Sequence, residues 1–120
     1  MNKQTKATKI PYPAMITNLP EIDISAPGIK GWALQSSRQQ FVFFEIDPIG
    51  EVSPHSHCAQ WGLMVEGKMR LTIGQETKIY SQGDHYFIPA GVIHSATFLT
   101  KVYVIDIFDD PQRYKIKKNE

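Results

Sequence analysis

Cysteine is nearly missing from this chain of 120 residues: Cys58 stands alone. A lone thiol excludes an internal disulfide, so the fold must rest on its core. Long apolar runs are missing too. No stretch approaches the roughly 20 residues of a spanning helix, which argues against membrane insertion in that form. Net charge is close to nil, at +1. That excludes bulk electrostatic capture of nucleic acid, which needs a strongly basic surface. The start, MNKQTKATKIPYPAM, carries lysines but no apolar stretch behind them. With no export signal in view, the expected compartment is the reducing cytoplasm. The sequence also shows no Ser-His-Asp order, no phosphate-cradling loop and no paired-carboxylate arrangement.

What is present is the composition of a single globular domain: 42% hydrophobic and 21% charged residues. Charge is uneven along it. Residues 1–9 carry Lys3, Lys6 and Lys9, and residues 112–120 carry Arg113, Lys115, Lys117 and Lys118 against Glu120. The expected organisation is a flexible basic tail over 1–9, one domain over 10–111, and a solvated basic tail over 112–120.

Eight glycines and eight prolines punctuate the chain. Between Pro48 and Gly91 they recur too often for a long helix. The intervals are short, β-branched, aromatic and partly alternating, the pattern of an all-β sandwich or barrel. Strands are expected over Phe41–Asp47, with Val42, Phe44 and Ile46 on one face, and over Gln60–Glu66, Met69–Ile73, Glu76–Tyr80 and His85–Pro89. Gly74-Gln75 fits a tight hairpin turn. Two more strands fall within Val92–Phe108, broken near Thr100-Lys101. Residues 10–31, rich in proline and glycine, are expected to wrap the surface or add an edge strand.

Three of four histidines fall in two places. His55 and His57 are two residues apart, so on an extended strand both point to one side. Two imidazoles at that spacing can converge on one metal ion. Alone, His-x-His is a weak signal. It is flanked, however, by Gly50 upstream and by Gln60 and Gly67 downstream, in GEVSPHSHCAQWGLMVEG. A second motif follows as GDHYFIPAGVIH, with Gly83, Pro89, Gly91 and His94.

In these two motifs, spanning residues 50–98, the chain resembles the cupin superfamily. The resemblance implies a double-stranded β-helix, a small jelly-roll barrel that brings His94 across from His55 and His57. It implies a metal held by His55, His57, His94 and the residue at position 60. The pattern is not perfect. Four residues, not five, separate Gly50 from His55, and two separate His57 from position 60. Gln60 stands where the family has glutamate, and Phe98 where it often has asparagine.

A neutral glutamine leaves a divalent ion its full charge, which favours anionic ligands. Nitrogen-rich ligation suits zinc, iron, nickel, copper or manganese over magnesium or calcium. Met64 shares the face of Gln60, and Ala96 and Phe98 share that of His94, so these three are candidate pocket residues. Alternation turns Cys58 and Trp61 away from the site, and His85 lies in no ligand register. The reading is a metal-binding cupin acting on a small anionic or enolisable molecule, as a dioxygenase, isomerase or cyclase. The alternative is a non-catalytic module that binds or senses a small metabolite. No acid near the metal is identified from the sequence. The expected partners are a small-molecule ligand and a second copy in a homodimer, with neither nucleic acid nor membrane.

Overall fold

The structure, a computed structural model, describes residues 9–118. Nine strands hold nearly all the regular structure: β1 (Ile29–Gln35), β2 (Gln40–Ile46), β3 (Gly50–His55), β4 (Gln60–Glu66), β5 (Lys68–Ile73), β6 (Glu76–Ser81), β7 (His85–Ile88), β8 (His94–Phe98) and β9 (Val102–Phe108). One short helix, α1 (Ala14–Thr17), precedes them. The strands form two antiparallel sheets, ordered β1-β2-β9-β4-β7 and β3-β8-β5-β6. This is the expected double-stranded β-helix.

Alternation in the sequence sets the packing. On β2 the residues Gln40, Val42, Phe44 and Ile46 are buried. On β9 the same face carries Val102, Val104, Asp106 and Phe108, all buried. Both rows point into the space between the sheets, where they meet Met69, Leu71 and Phe98. Gly74-Gln75 forms the two-residue hairpin, with Ile73 paired to Glu76 and a positive φ of 61° at Gly74.

The segment before β1 does more than wrap. Tyr12 is buried against Trp32 and Tyr103, and its hydroxyl donates to the Phe44 carbonyl at 2.7 Å. This second cluster covers the outer face of β1, β2 and β9, so Tyr103 is buried on the side away from the barrel interior.

Basic tails are expected at both ends of the chain. Residues 1–8 of the N-terminal one lie outside the described residues. The C-terminal one is not simply solvated from residue 112. Ile116 bridges Ile22, and Tyr114 and Ile116 pack on the core. The fully buried Gln40 clamps the turn back. Its Nε2 donates to the Tyr114 carbonyl and its Oε1 accepts from the Tyr114 N–H, both at 3.0 Å. A buried amide satisfied in this way fixes backbone that charge alone would leave in water.

Candidate metal centre

β3 ends at His55 and β8 begins at His94, and the two residues pair across the sheet. His57 lies two residues past the end of β3, in irregular backbone whose carbonyl accepts from the Gly91 N–H at 2.9 Å. Strand alternation therefore does not place His57; the turn at Pro89–Gly91 helps to hold it. The rings converge, with centroids 5.2 Å apart for His55 and His57, 4.3 Å for His55 and His94, and 4.8 Å for His57 and His94. Their ligating nitrogens all lie within 4.8 Å of one another.

Each ring is oriented by its own backbone. Nδ1 of His55 faces the Ser53 carbonyl at 2.9 Å, that of His57 the Cys58 carbonyl at 2.8 Å, and that of His94 the Val92 carbonyl at 3.0 Å. A carbonyl can only accept. Each Nδ1 therefore carries the hydrogen, and each Nε2 keeps its lone pair for a cation. Burial pushes the His57 pKa down to about 4, and lowers that of His94 as well, with Arg113 acting in the same direction on both. His57 and His94 are thereby held neutral near pH 7, as metal binding requires.

Gln60 opens β4 and lines the same cavity as the histidines. Its Oε1 is buried without a hydrogen-bond partner. Such an orphaned acceptor costs about 1–3 kcal/mol. Three free imidazole nitrogens and an unsatisfied amide oxygen fit a divalent transition metal, and they fit magnesium or calcium poorly.

Beyond the trio stands an acid, Asp106, that the sequence reading does not identify. It is 3% exposed and lines the cavity. The Tyr86 hydroxyl donates to its Oδ1 at 2.7 Å. Burial raises its pKa to about 6, opposed by the Tyr86 hydrogen bond and by Gln60. Burial holds the Tyr86 phenol protonated. Gly62 makes this pair possible. It lies on β4 between Asp106 of β9 and Tyr86 of β7. A Cβ there would collide with both side chains. The signal that reveals Asp106 is alternation: in Val102–Phe108 it shares its face with two valines and a phenylalanine.

Arg113 is the second addition. Its guanidinium lies 4.4 Å from the Tyr114 ring and 5.5 Å from that of Phe108, which in turn packs on His57. Its Nε is buried without a partner. Among the described residues it makes no ion pair. Histidines, Gln60, Asp106 and Arg113 share one cavity of about 530 Å³.

The family description "Cupin domain" matches residues 42–108. The chain belongs to the cupin family. Among solved structures, an RmlC-like cupin from Shewanella frigidimarina is 26% identical, with a TM-score of 0.70 over 92% of this chain and 95% of that one. KdgF from Halomonas sp. is 27% identical, with a TM-score of 0.68 over 77% of this chain and 86% of that one. A variant of oxalate decarboxylase from Bacillus subtilis, 22% identical with a TM-score of 0.68, aligns over 80% of this chain and 28% of that longer one, and shares the fold. No curated protein matches the chain.

In this cupin the three candidate pocket residues separate. Phe98 lines the cavity; Met64 and Ala96 do not. Met64 lies four residues along β4 from Gln60, about 13 Å at strand rise, and is buried in the core. Ala96, a single methyl, packs against the core. Trp61 stacks on His85 on the outer face, 6.0 Å between centroids, and His85 starts an edge strand. Burial raises the Cys58 thiol pKa, which disfavours a reactive thiolate.

Proposed function

We propose that this cupin holds a divalent transition metal on His55, His57, His94 and Gln60 and moves a proton on a small, carboxylate-bearing carbonyl compound. When bound, the metal supplies Lewis acidity toward a carbonyl or enolate oxygen. With four neutral ligands its charge stays near +2, which selects anions. Arg113, without an ion pair among the described residues and at the same cavity, offers a fork of donors to a carboxylate. Asp106 carries the step from binding to catalysis. Its carboxylate takes a proton from carbon while the electron pair moves to the carbonyl oxygen, and it returns that proton at a neighbouring atom. A pKa of about 6 suits this exchange near neutrality. Tyr86 holds the carboxylate in place.

Two measurements test the reading. Replacing His57 with alanine should lower metal content sharply in protein purified without a metal-binding tag; unchanged stoichiometry removes the metal centre. Metal-loaded protein in heavy water should exchange the enolisable protons of 2-oxo acids, followed by NMR. Asp106→Asn should slow exchange by about 100-fold or more while the acids still bind. Binding without exchange in any acid would leave the alternative, a metabolite-binding module. Oxygen uptake instead of exchange would make it a dioxygenase. A homodimer, formed through the outer face around Trp61 and Phe87, completes the proposal.

A further inference from the structure

The polar groups of the cavity gather at one end. His55 pairs with His94, Gln60 pairs with Phe108, and Arg113 stacks over Phe108. The strands then run away from this end. Phe98 lies four residues from His94 on β8, about 13 Å at strand rise. It pairs with Gly50 on one side and Met69 on the other. On the facing sheet Ile46 ends β2, paired with Ile29. Phe98, Met69, Leu71, Ile46, Ile29 and Ile49 all line the cavity. Away from the metal end its polar lining residue is Glu51, which is exposed. Ile49 is 42% exposed, so the apolar wall reaches solvent. At about 530 Å³ the cavity suits a ligand of drug size and far exceeds a three-carbon acid.

We infer that the substrate is amphipathic: a 2-oxo-acid head at the metal end, and an alkyl or aryl tail along Leu71, Phe98, Met69, Ile46, Ile29 and Ile49. The head rests on the reading proposed above; the tail rests on strand register. A polyhydroxylated acid would bury hydroxyls against this wall without partners, which an apolar tail avoids.

The test uses cobalt-loaded protein and a series of probes: pyruvate, 2-oxobutanoate, 2-oxohexanoate, phenylpyruvate and, as the polar tail, 2-ketogluconate. Calorimetry reads affinity, and the cobalt absorption bands read contact with the metal. Affinity should rise about fourfold per methylene. 2-Ketogluconate should bind no more tightly than pyruvate. Ile49→Ser, at the exposed rim, should weaken the longer acids and leave pyruvate unchanged. A flat series that still shifts the cobalt bands overturns the tail and spares the reading it rests on. Tighter binding of 2-ketogluconate than of phenylpyruvate does the same. Affinity that grows with tail length while the bands stay unmoved overturns the head and that reading. Failure of every acid to bind overturns both.

Discussion

Asp106 and His57 pull the stability of the metal-free protein in opposite directions. The carboxyl of Asp106 is raised from 3.8 to about 6, so between those values the folded state binds more protons than the unfolded. Its contribution is present at low pH and is lost as pH rises through 6. His57 is lowered from 6.5 to about 4, so in that window the unfolded state binds more protons. Its contribution is present above pH 6.5 and is lost as pH falls through 4. The windows overlap, and the two slopes offset each other. Asp106→Asn removes one of them. The melting temperature of that variant, relative to the parent, should therefore climb between pH 4 and 7. The full difference corresponds to about 3 kcal/mol, at roughly 1.4 kcal/mol per pKa unit. Thermal melts of both proteins across that range check it. A constant difference would show that Asp106 has the same proton affinity folded and unfolded.

At the level of elements, the segment carrying Arg113 depends on one side chain from far away in sequence. Gln40 holds both backbone groups of Tyr114, and Ile22 pairs with Ile116 beyond it. Gln40→Leu keeps the volume and removes the clamp, leaving the Tyr114 N–H and carbonyl without partners. A cost of about 1–3 kcal/mol is expected. Hydrogen exchange at the Tyr114 amide should accelerate, trypsin should cut sooner at Arg113, Lys115 or Lys117, and 2-oxo-acid affinity should fall about tenfold. Metal content should not change, because the trio sits on β3, β8 and the turn between β3 and β4. Unchanged acid affinity with faster exchange would separate Arg113 from ligand binding. This clamp also marks the limit of what the sequence discloses. Strands β2, β4, β5 and β9 are legible because their faces alternate between core and surface. The ligand trio is legible because the glycines and Pro89 fix the corners around it. β1 is not, because Gly31, Trp32 and Ala33 are buried in succession: the Tyr12 cluster covers the face that would otherwise be polar. Arg113 is not, because four basic residues among nine look solvated until Gln40 is placed beneath them.

For the whole molecule, the two faces of the five-stranded sheet have different coverage. Its inner face meets the other sheet. Its outer face is covered around Trp32 and Tyr103 by the segment from Ile10 to Leu19. Toward β7 that cover stops. There Trp61 pairs with Phe87 and with Ile107, and Phe87 is 57% exposed on a strand that ends the sheet. An open edge beside aromatic surface invites pairing with a like edge. A second copy related by a two-fold axis would set β7 and its aromatics against themselves. Sedimentation equilibrium should then give twice the chain mass of 13.6 kDa. Phe87→Lys should return the mass to that of one chain. Because Phe87 faces outward and the metal-binding residues face into the barrel, the variant should keep its full metal content. A parent protein that sediments as one chain removes the dimer. A Phe87→Lys protein that loses both its partner and its metal would mean that the barrel needs its neighbour to hold the trio in place. Each centre would then belong to the pair, although all its ligands come from one chain.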